Sequence, residues 1–167
     1  FQGSPDYLMR IRSEVELPLL RKDFIADPYQ IAEAVLWGAD AILLIVAGLE
    51  KSQLFDLRAL AELSGLDVLV EVHDEAECEI ANELKAPLVG VNNRDLRTFK
   101  TDLSTTARLL PLLTEAELKV SESALDSHED VQQVRAYGAD AVLIGTAFTQ
   151  SEDVGAAVRS IMGRGER

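Results

Sequence analysis

The sequence predicts an α/β fold built on a parallel sheet, and three observations carry that prediction. Short apolar runs alternate with amphipathic helical stretches six times along the 167 residues. The runs stay apolar instead of alternating with polar residues, as strands covered on both faces do. Most of them turn charged or polar at their carboxyl ends, where α/β proteins place their chemistry.

The elements follow in order. Ser4-Pro5-Asp6 starts a leading helix, with Ser4 as N-cap, Pro5 at the first helical position, and Leu8, Ile11 and Val15 on one face. The first strand is expected over 17–24, buried in Leu17, Leu19 and Leu20 and then charged at Lys22 and Asp23. Asp27-Pro28 caps a helix over 29–37 that Gly38 closes, and 41–46 is an apolar strand. A helix over 51–64 points Leu54, Leu57, Leu60, Ala61 and Leu63 inward and ends at Gly65. A strand over 67–73, a helix over 75–84 and a strand over 87–94 follow. A helix over 102–113, a strand over 118–123 and a helix over 128–137 closed by Gly138 come next. The last strand is expected over 141–146 and the last helix over 153–162.

An internal repeat sharpens the fold. Trp37-Gly38-Ala39-Asp40-Ala41-Ile42-Leu43-Leu44 recurs 100 residues later as Tyr137-Gly138-Ala139-Asp140-Ala141-Val142-Leu143-Ile144. The match extends back without gaps, pairing Asp27 with Ser127, Ile31 with Val131 and Lys22 with Glu122. Four strand–helix units separate the copies, the spacing of a half-barrel duplication in an eight-unit barrel, which takes ~250 residues. The predicted fold is therefore an incomplete (β/α)8 barrel of TIM type holding strands 3–8. It is expected as a single partial domain, with a leading helix over 1–16, six strand–helix units over 17–162 and a fraying tail over 163–167. Six units leave two open sheet edges, so the chain is expected to be a fragment, to be completed by a partner, or to self-associate through those edges. It opens with Phe1 and not methionine, which fits a processed, engineered or truncated chain.

Composition narrows the function. The net charge of −13 argues against nucleic acid and anionic membranes, without forbidding a local positive pocket. No apolar run approaches the roughly 18 residues of a membrane span, and no signal peptide is visible. The single cysteine, Cys78, excludes an internal disulfide framework, fits a reducing cytoplasm, and sits in the acidic run 74–79 where a structural place is expected over a catalytic one. His73 is expected in a loop or as a hydrogen-bonding partner, and His128 on an exposed first helical turn. With two histidines and no ligand spacing, no metal site is expected.

The strand ends supply Lys22, Glu71, Asn92, Arg94, Glu122, Ser123, Gly145 and Thr146. A parallel sheet gathers such ends at one mouth. One lysine and two glutamates there supply an acid and bases, whose proton affinities a shared cavity would separate. The small residues Ser123-Ala124 and Gly145-Thr146 let backbone amides approach an anion, and the last two loops of a barrel are its usual phosphate site. The expected ligand is a phosphorylated small molecule.

Several motifs together carry a resemblance. They are Leu20-Arg21-Lys22-Asp23-Phe24-Ile25 with Asp27-Pro28, Val70-Glu71-Val72-His73, Gly90-Val91-Asn92-Asn93-Arg94-Asp95-Leu96 and Val120-Ser121-Glu122-Ser123. In order and spacing, this chain resembles the indole-3-glycerol phosphate synthases of tryptophan biosynthesis, a family of ribulose-phosphate-binding barrels. The resemblance implies a carbon–carbon lyase of the carboxy-lyase type. It would act on 1-(2-carboxyphenylamino)-1-deoxyribulose 5-phosphate by ring closure, decarboxylation and dehydration, with no cofactor. It implies Lys22 as the general acid, Glu71 in the dehydration, and Asn92 and Glu122 holding and polarising the substrate, with Arg94 positioning it. Ser123, Ala124, Gly145 and Thr146 would lie at the phosphate. Leu20, Phe24, Leu43, Ile45 and Leu96 would form an apolar wall against the anthranilate ring. Two departures stand out. The family's first strand carries a catalytic glutamate and lysine that have no counterpart here, so the chain alone is expected to be inactive or impaired. The family also has glycine where this chain has Ala124. The alternatives are a self-associating, catalytically incomplete barrel and another phosphate-sugar barrel enzyme.

Overall fold

A computed structural model of the chain describes residues 3–95 and 98–163. Leu96 and the tail beyond Gly163 lie outside the described residues. The chain forms two compact units, residues 1–71 and 72–167.

The first unit holds α1 (Pro5–Glu14), β1 (Leu20–Arg21), α2 (Pro28–Leu36), β2 (Ala41–Ile45), α3 (Lys51–Leu63) and β3 (Asp67–Val72) up to Glu71. The strands are parallel and follow chain order, with Leu20 opposite Ala41 and Ile45 opposite Glu71. Register partners share a face, so Arg21, Ile42, Leu44, Val68 and Val70 form one side. That side meets the helices: Arg21 Nη1 donates to the Gln30 carbonyl at 2.6 Å, and its guanidinium stacks 4.3 Å over the Trp37 ring. Ile31 and Ala34 of α2 and Leu54, Leu57 and Ala61 of α3 complete the core. The opposite side carries Leu20, Leu43, Ile45, Leu69 and Glu71.

Local chemistry explains where these helices begin. Ser4 Oγ accepts the Asp6 amide, and Pro5 opens α1. Asp27 and Gln30 form a capping box on α2, with the Gln30 side chain also donating to the Phe24 carbonyl at 2.8 Å. Gly38 sits at φ +80°, and a Cβ there would stand 2.8 Å from the Arg12 side chain, so the turn before β2 requires glycine.

The second unit holds α4 (Glu75–Glu83), β4 (Leu88–Asn92), α5 (Ser104–Leu109) running into a 3₁₀ turn, and β5 (Leu118–Glu122). Then come α6 (His128–Ala136), β6 (Ala141–Leu143), a one-turn α7 (Thr146–Thr149) and α8 (Val154–Ile161). Strands β4, β5 and β6 are parallel and sequential, with Asn92 opposite Glu122 and Glu122 opposite Leu143.

The repeat is written into the hydrogen bonds. In the first unit Asp40 Oδ2 accepts the Leu19 amide at 2.7 Å, and the Asp40 amide donates to the Leu19 carbonyl at 2.9 Å. In the second, Asp140 makes the same two bonds to Lys119, at 2.9 and 2.8 Å. Leu20 faces Ala41 as Val120 faces Ala141, and Ser127 with Asp130 forms the capping box that Asp27 and Gln30 form earlier.

Several expectations need correction. The strand expected over 17–24 shrinks to Leu20–Arg21, and Leu17 is 70% exposed. Pro18 has no amide to pair, and the Leu19 amide goes to Asp40's carboxylate in place of a strand. The last strand ends at Leu143; Gly145 caps α7, and Thr146 is that helix's first residue. Leu63 points outward at 86% exposure. No residue of α1 is buried: Leu8 and the C-cap Val15 are half-buried and Ile11 is 47% exposed, so the apolar face is only partly covered. Nor is every strand covered on both faces: beside β6 lies an apolar cleft of about 870 Å³ lined by Val131, Val134, Val142, Leu143, Phe148 and Met162. His128 is half-buried, its Nδ1 3.0 Å from the Ile161 carbonyl at the end of α8.

Candidate active site

In the first unit the site residues arise from the two-residue alternation of β1. Arg21 turns toward α2, so Lys22 turns to the opposite side, the side of Leu43, Ile45 and Glu71. Lys22 Nζ lies 3.6 Å from Glu71 Oε2. Glu71 is 1% exposed and Lys22 about a quarter exposed, so the lysine forms the accessible end of a buried ion pair. A carboxylate in that position depends on its cation, because an unpaired buried charge costs several kcal/mol. Leu20, on the same face, is half-buried, whereas Leu43 is fully buried and Ile45 nearly so. Phe24 lies in the following loop, 57% exposed.

In the second unit Asn92 and Glu122 end adjacent strands as register partners, and thus share a face. Both are buried, Glu122 completely. Asn92 Oδ1 accepts the Arg94 amide at 3.0 Å, which orients the Asn92 side chain and starts the loop. Arg94 is half-buried and pairs back to Thr101 through an isolated antiparallel bridge. Leu96, expected in the apolar wall, falls outside the described residues of this loop.

Ser123 and Ala124 take left-handed backbone, at φ +66° and +60°. The Ser123 amide donates to the Leu143 carbonyl at 3.3 Å, so it serves the sheet. Gly145 and Thr146 are exposed, and the space where a Cβ at Gly145 would stand is open.

Three residues not singled out from the sequence stand behind this set. Asn93, Thr106 and Ser121 are buried and hydrogen-bonded to one another. The signal was available as a serine inside the apolar run of β5 and a second asparagine after β4.

The remaining reactive groups are occupied elsewhere. The His73 amide and its Nδ1 both meet Glu77 Oε2, at 2.8 and 3.1 Å. Burial, then the carboxylates of Asp74, Glu75 and Glu77, push the Cys78 thiol up to about 12, which removes it as a nucleophile. Among the described residues no cluster of three or more His, Cys, Asp or Glu is placed to hold a metal ion, and no helix is long and apolar enough to cross a membrane.

Sequential parallel strands with crossover helices and polar carboxyl ends define the class: the (β/α)8 barrels of TIM type, here incomplete, with six strands among the described residues. Solved structures share the fold. The 3-hexulose-6-phosphate synthase of Salmonella typhimurium superimposes with a TM-score of 0.81 at 18% identity, covering 96% of this chain and 79% of that one. A tryptophan synthase chain from Pyrococcus furiosus gives 0.73 at 15% identity, covering 95% and 72%. The family model for indole-3-glycerol phosphate synthase matches residues 1–161. The indole-3-glycerol phosphate synthase of Polynucleobacter necessarius is 51% identical over 161 residues, 96% of this chain and 60% of the relative. That of Bordetella pertussis is 52% identical over 155 residues, 93% and 59%. The chain belongs to the indole-3-glycerol phosphate synthase family, and it spans about 60% of the length of the curated relatives it matches.

Proposed function

We propose that the chain carries the proton-transfer and phosphate-binding part of an indole-3-glycerol phosphate synthase. The observation that carries this reading is the Lys22–Glu71 pair at the strand ends of a chain of this family. The substrate is 1-(2-carboxyphenylamino)-1-deoxyribulose 5-phosphate. A carbon–carbon bond forms between the ring carbon bearing the carboxylate and the ribulose carbonyl carbon, whose oxygen takes a proton from Lys22 Nζ. The carboxylate then leaves as carbon dioxide, its bonding pair restoring the aromatic ring. The new hydroxyl takes a proton and leaves as water while the adjacent methylene carbon next to nitrogen gives up a proton to a site carboxylate, giving indole-3-glycerol phosphate.

Glu71 pairs with the lysine and serves the dehydration. Asn92 and Glu122 hold the substrate hydroxyls and Arg94 positions its anionic end. Leu20 and Phe24, the accessible apolar residues, take the anthranilate ring, with Leu43 and Ile45 supporting them from within. The amides around Ala124, Gly145 and Thr146 hold the phosphate. We expect turnover by these 167 residues alone to be slow compared with that of the longer relatives.

The test is Lys22→Ala. Removing a general acid costs about 10²- to 10⁴-fold in rate. We expect kcat, followed by indole fluorescence of the product, to fall by that amount, while product affinity stays within a few-fold. Near-normal turnover sinks the assignment of Lys22. A wild-type chain that neither binds the product nor turns over the substrate removes the functional reading.

A further inference from the structure

We infer that Asn93 is a positioning residue, which holds Glu122 and the Ser123–Ala124 turn in place through a closed ring of hydrogen bonds with Ser121 and Thr106. The inference rests on the reading that Glu122 and this turn serve the substrate.

The ring can be assigned atom by atom. Asn93 Nδ2 lies 3.0 Å from Ser121 Oγ, 3.1 Å from the Glu122 carbonyl and 3.2 Å from the Ser123 carbonyl. Two carbonyl oxygens accept only, which fixes the amide orientation: the nitrogen faces β5. Asn93 Oδ1 then faces α5, where it accepts the Thr106 amide at 3.1 Å and Thr106 Oγ1 at 2.7 Å. Thr106 has one hydroxyl proton, and it goes to Asn93 Oδ1. The 2.7 Å contact between Thr106 Oγ1 and Ser121 Oγ must therefore carry the serine's proton to the threonine. The two Nδ2 protons are shared among three acceptors, Ser121 Oγ and the two carbonyls; through the share on Ser121 Oγ, donation runs on to Thr106 Oγ1 and back to Asn93 Oδ1. All three residues are buried, Thr106 and Ser121 completely.

A satisfied polar ring in an apolar interior specifies geometry, because each partner is costly to lose. What this ring specifies is the place of its neighbours. Asn93 and Ser121 alternate with Asn92 and Glu122 along β4 and β5, so the ring stands on the helix side and the site residues on the other. The Glu122 carbonyl is held by both the Asn93 amide at 2.9 Å and its side chain. The Ser123 carbonyl is held at the start of the left-handed turn. The Asn93 carbonyl accepts the Asp102 amide at 2.9 Å, which ties the loop's far end to the same point.

The test compares Asn93→Ala, Thr106→Val and Thr106→Ser in the full chain. Thr106→Val keeps the shape and removes the hydroxyl; Thr106→Ser restores it. Two readouts are taken: kcat against KM, and the pH titration of the Glu122 carboxyl by ¹³C NMR, with Glu71 as internal reference. Small misplacements of reacting groups cost up to about a hundred-fold in rate. We expect Asn93→Ala and Thr106→Val to lower kcat about ten- to a hundred-fold, with KM within about two-fold. Both should move the Glu122 midpoint by about half a pH unit or more, leaving that of Glu71 unchanged. Thr106→Ser should return both readouts toward wild type. A folded Thr106→Val protein with a wild-type Glu122 titration overturns the inference, as does a loss that serine does not rescue. If Asn93→Ala does not fold, the Thr106 pair decides. If the wild-type chain neither binds the product nor turns over the substrate, the functional reading fails, while the titration still decides whether the ring positions Glu122.

Discussion

Ala124 holds a backbone angle that L side chains rarely take, φ +60° directly after Ser123 at +66°. The family has glycine at this position, a residue that takes such an angle freely. The chain keeps the angle and carries the strain. A Cβ in the left-handed region costs roughly 1–2 kcal/mol. Glycine would relieve it but would also loosen the unfolded chain, which offsets about 0.4–1 kcal/mol. Ala124→Gly should therefore stabilise by about 0.8 kcal/mol in urea unfolding, the difference between the midpoints of those two effects; a loss of stability would show that the methyl packs usefully. Cys78 gives a second test at this scale. With its thiol raised to about 12 by burial first and the Asp74, Glu75 and Glu77 carboxylates next, only about one in ten thousand molecules is thiolate at pH 8. Iodoacetamide should label the native protein at least about a hundred-fold more slowly than the urea-unfolded one. Equal rates would mean that Cys78 is reached without unfolding.

Helix starts were legible because their signals are local. Ser4 with Pro5, Asp27 with Pro28, and Ser127 all cap as their sequence contexts predict. Strand ends were less legible because tertiary partners set them. Nothing local reveals that the Leu19 amide goes to Asp40, or that Gly145 starts a helix turn where an apolar strand was expected to continue. The site divides in the same way. Lys22, Glu71, Asn92 and Glu122 stood out as charges and amides at strand ends, whereas Thr106 sits in a helix and acquires meaning only through Asn93 and Ser121. The α6 cap offers a pH test. Burial raises the Asp130 carboxyl, but hydrogen bonds from the Ser127 hydroxyl and the Asp126 and Ser127 amides outweigh it and hold the group below the usual carboxylate range. A depressed carboxyl contributes stability that is present above its unfolded value, about 3.9, and lost as pH falls through its folded one. Ser127→Ala should cost about 1 kcal/mol at pH 7. Asp130→Asn should remove the part of the acid destabilisation that appears below about pH 4. Unchanged acid unfolding in Asp130→Asn would show that the cap is not linked to protonation.

At the scale of the whole molecule, 29 acidic residues face 16 basic ones, and the net charge of −13 is large for 167 residues. The exposed pairs Arg12–Asp40 and Arg58–Glu62 attract, but surface pairs contribute little each and neutralise few of the carboxylates. Repulsion among the remainder opposes the compact state. Salt screens both effects, since the Debye length falls from about 30 Å at 0.01 M to about 10 Å at 0.1 M. The larger effect should decide the sign. Raising sodium chloride from about 0.01 M to about 0.1 M at pH 7 should therefore raise the urea midpoint, in proportion to the repulsion removed. The gain should vanish near the sequence isoelectric point of about 4.5, where net repulsion is absent. A midpoint that falls with salt at pH 7 would mean that attractive pairs, including the Lys22–Glu71 pair, outweigh the excess negative charge.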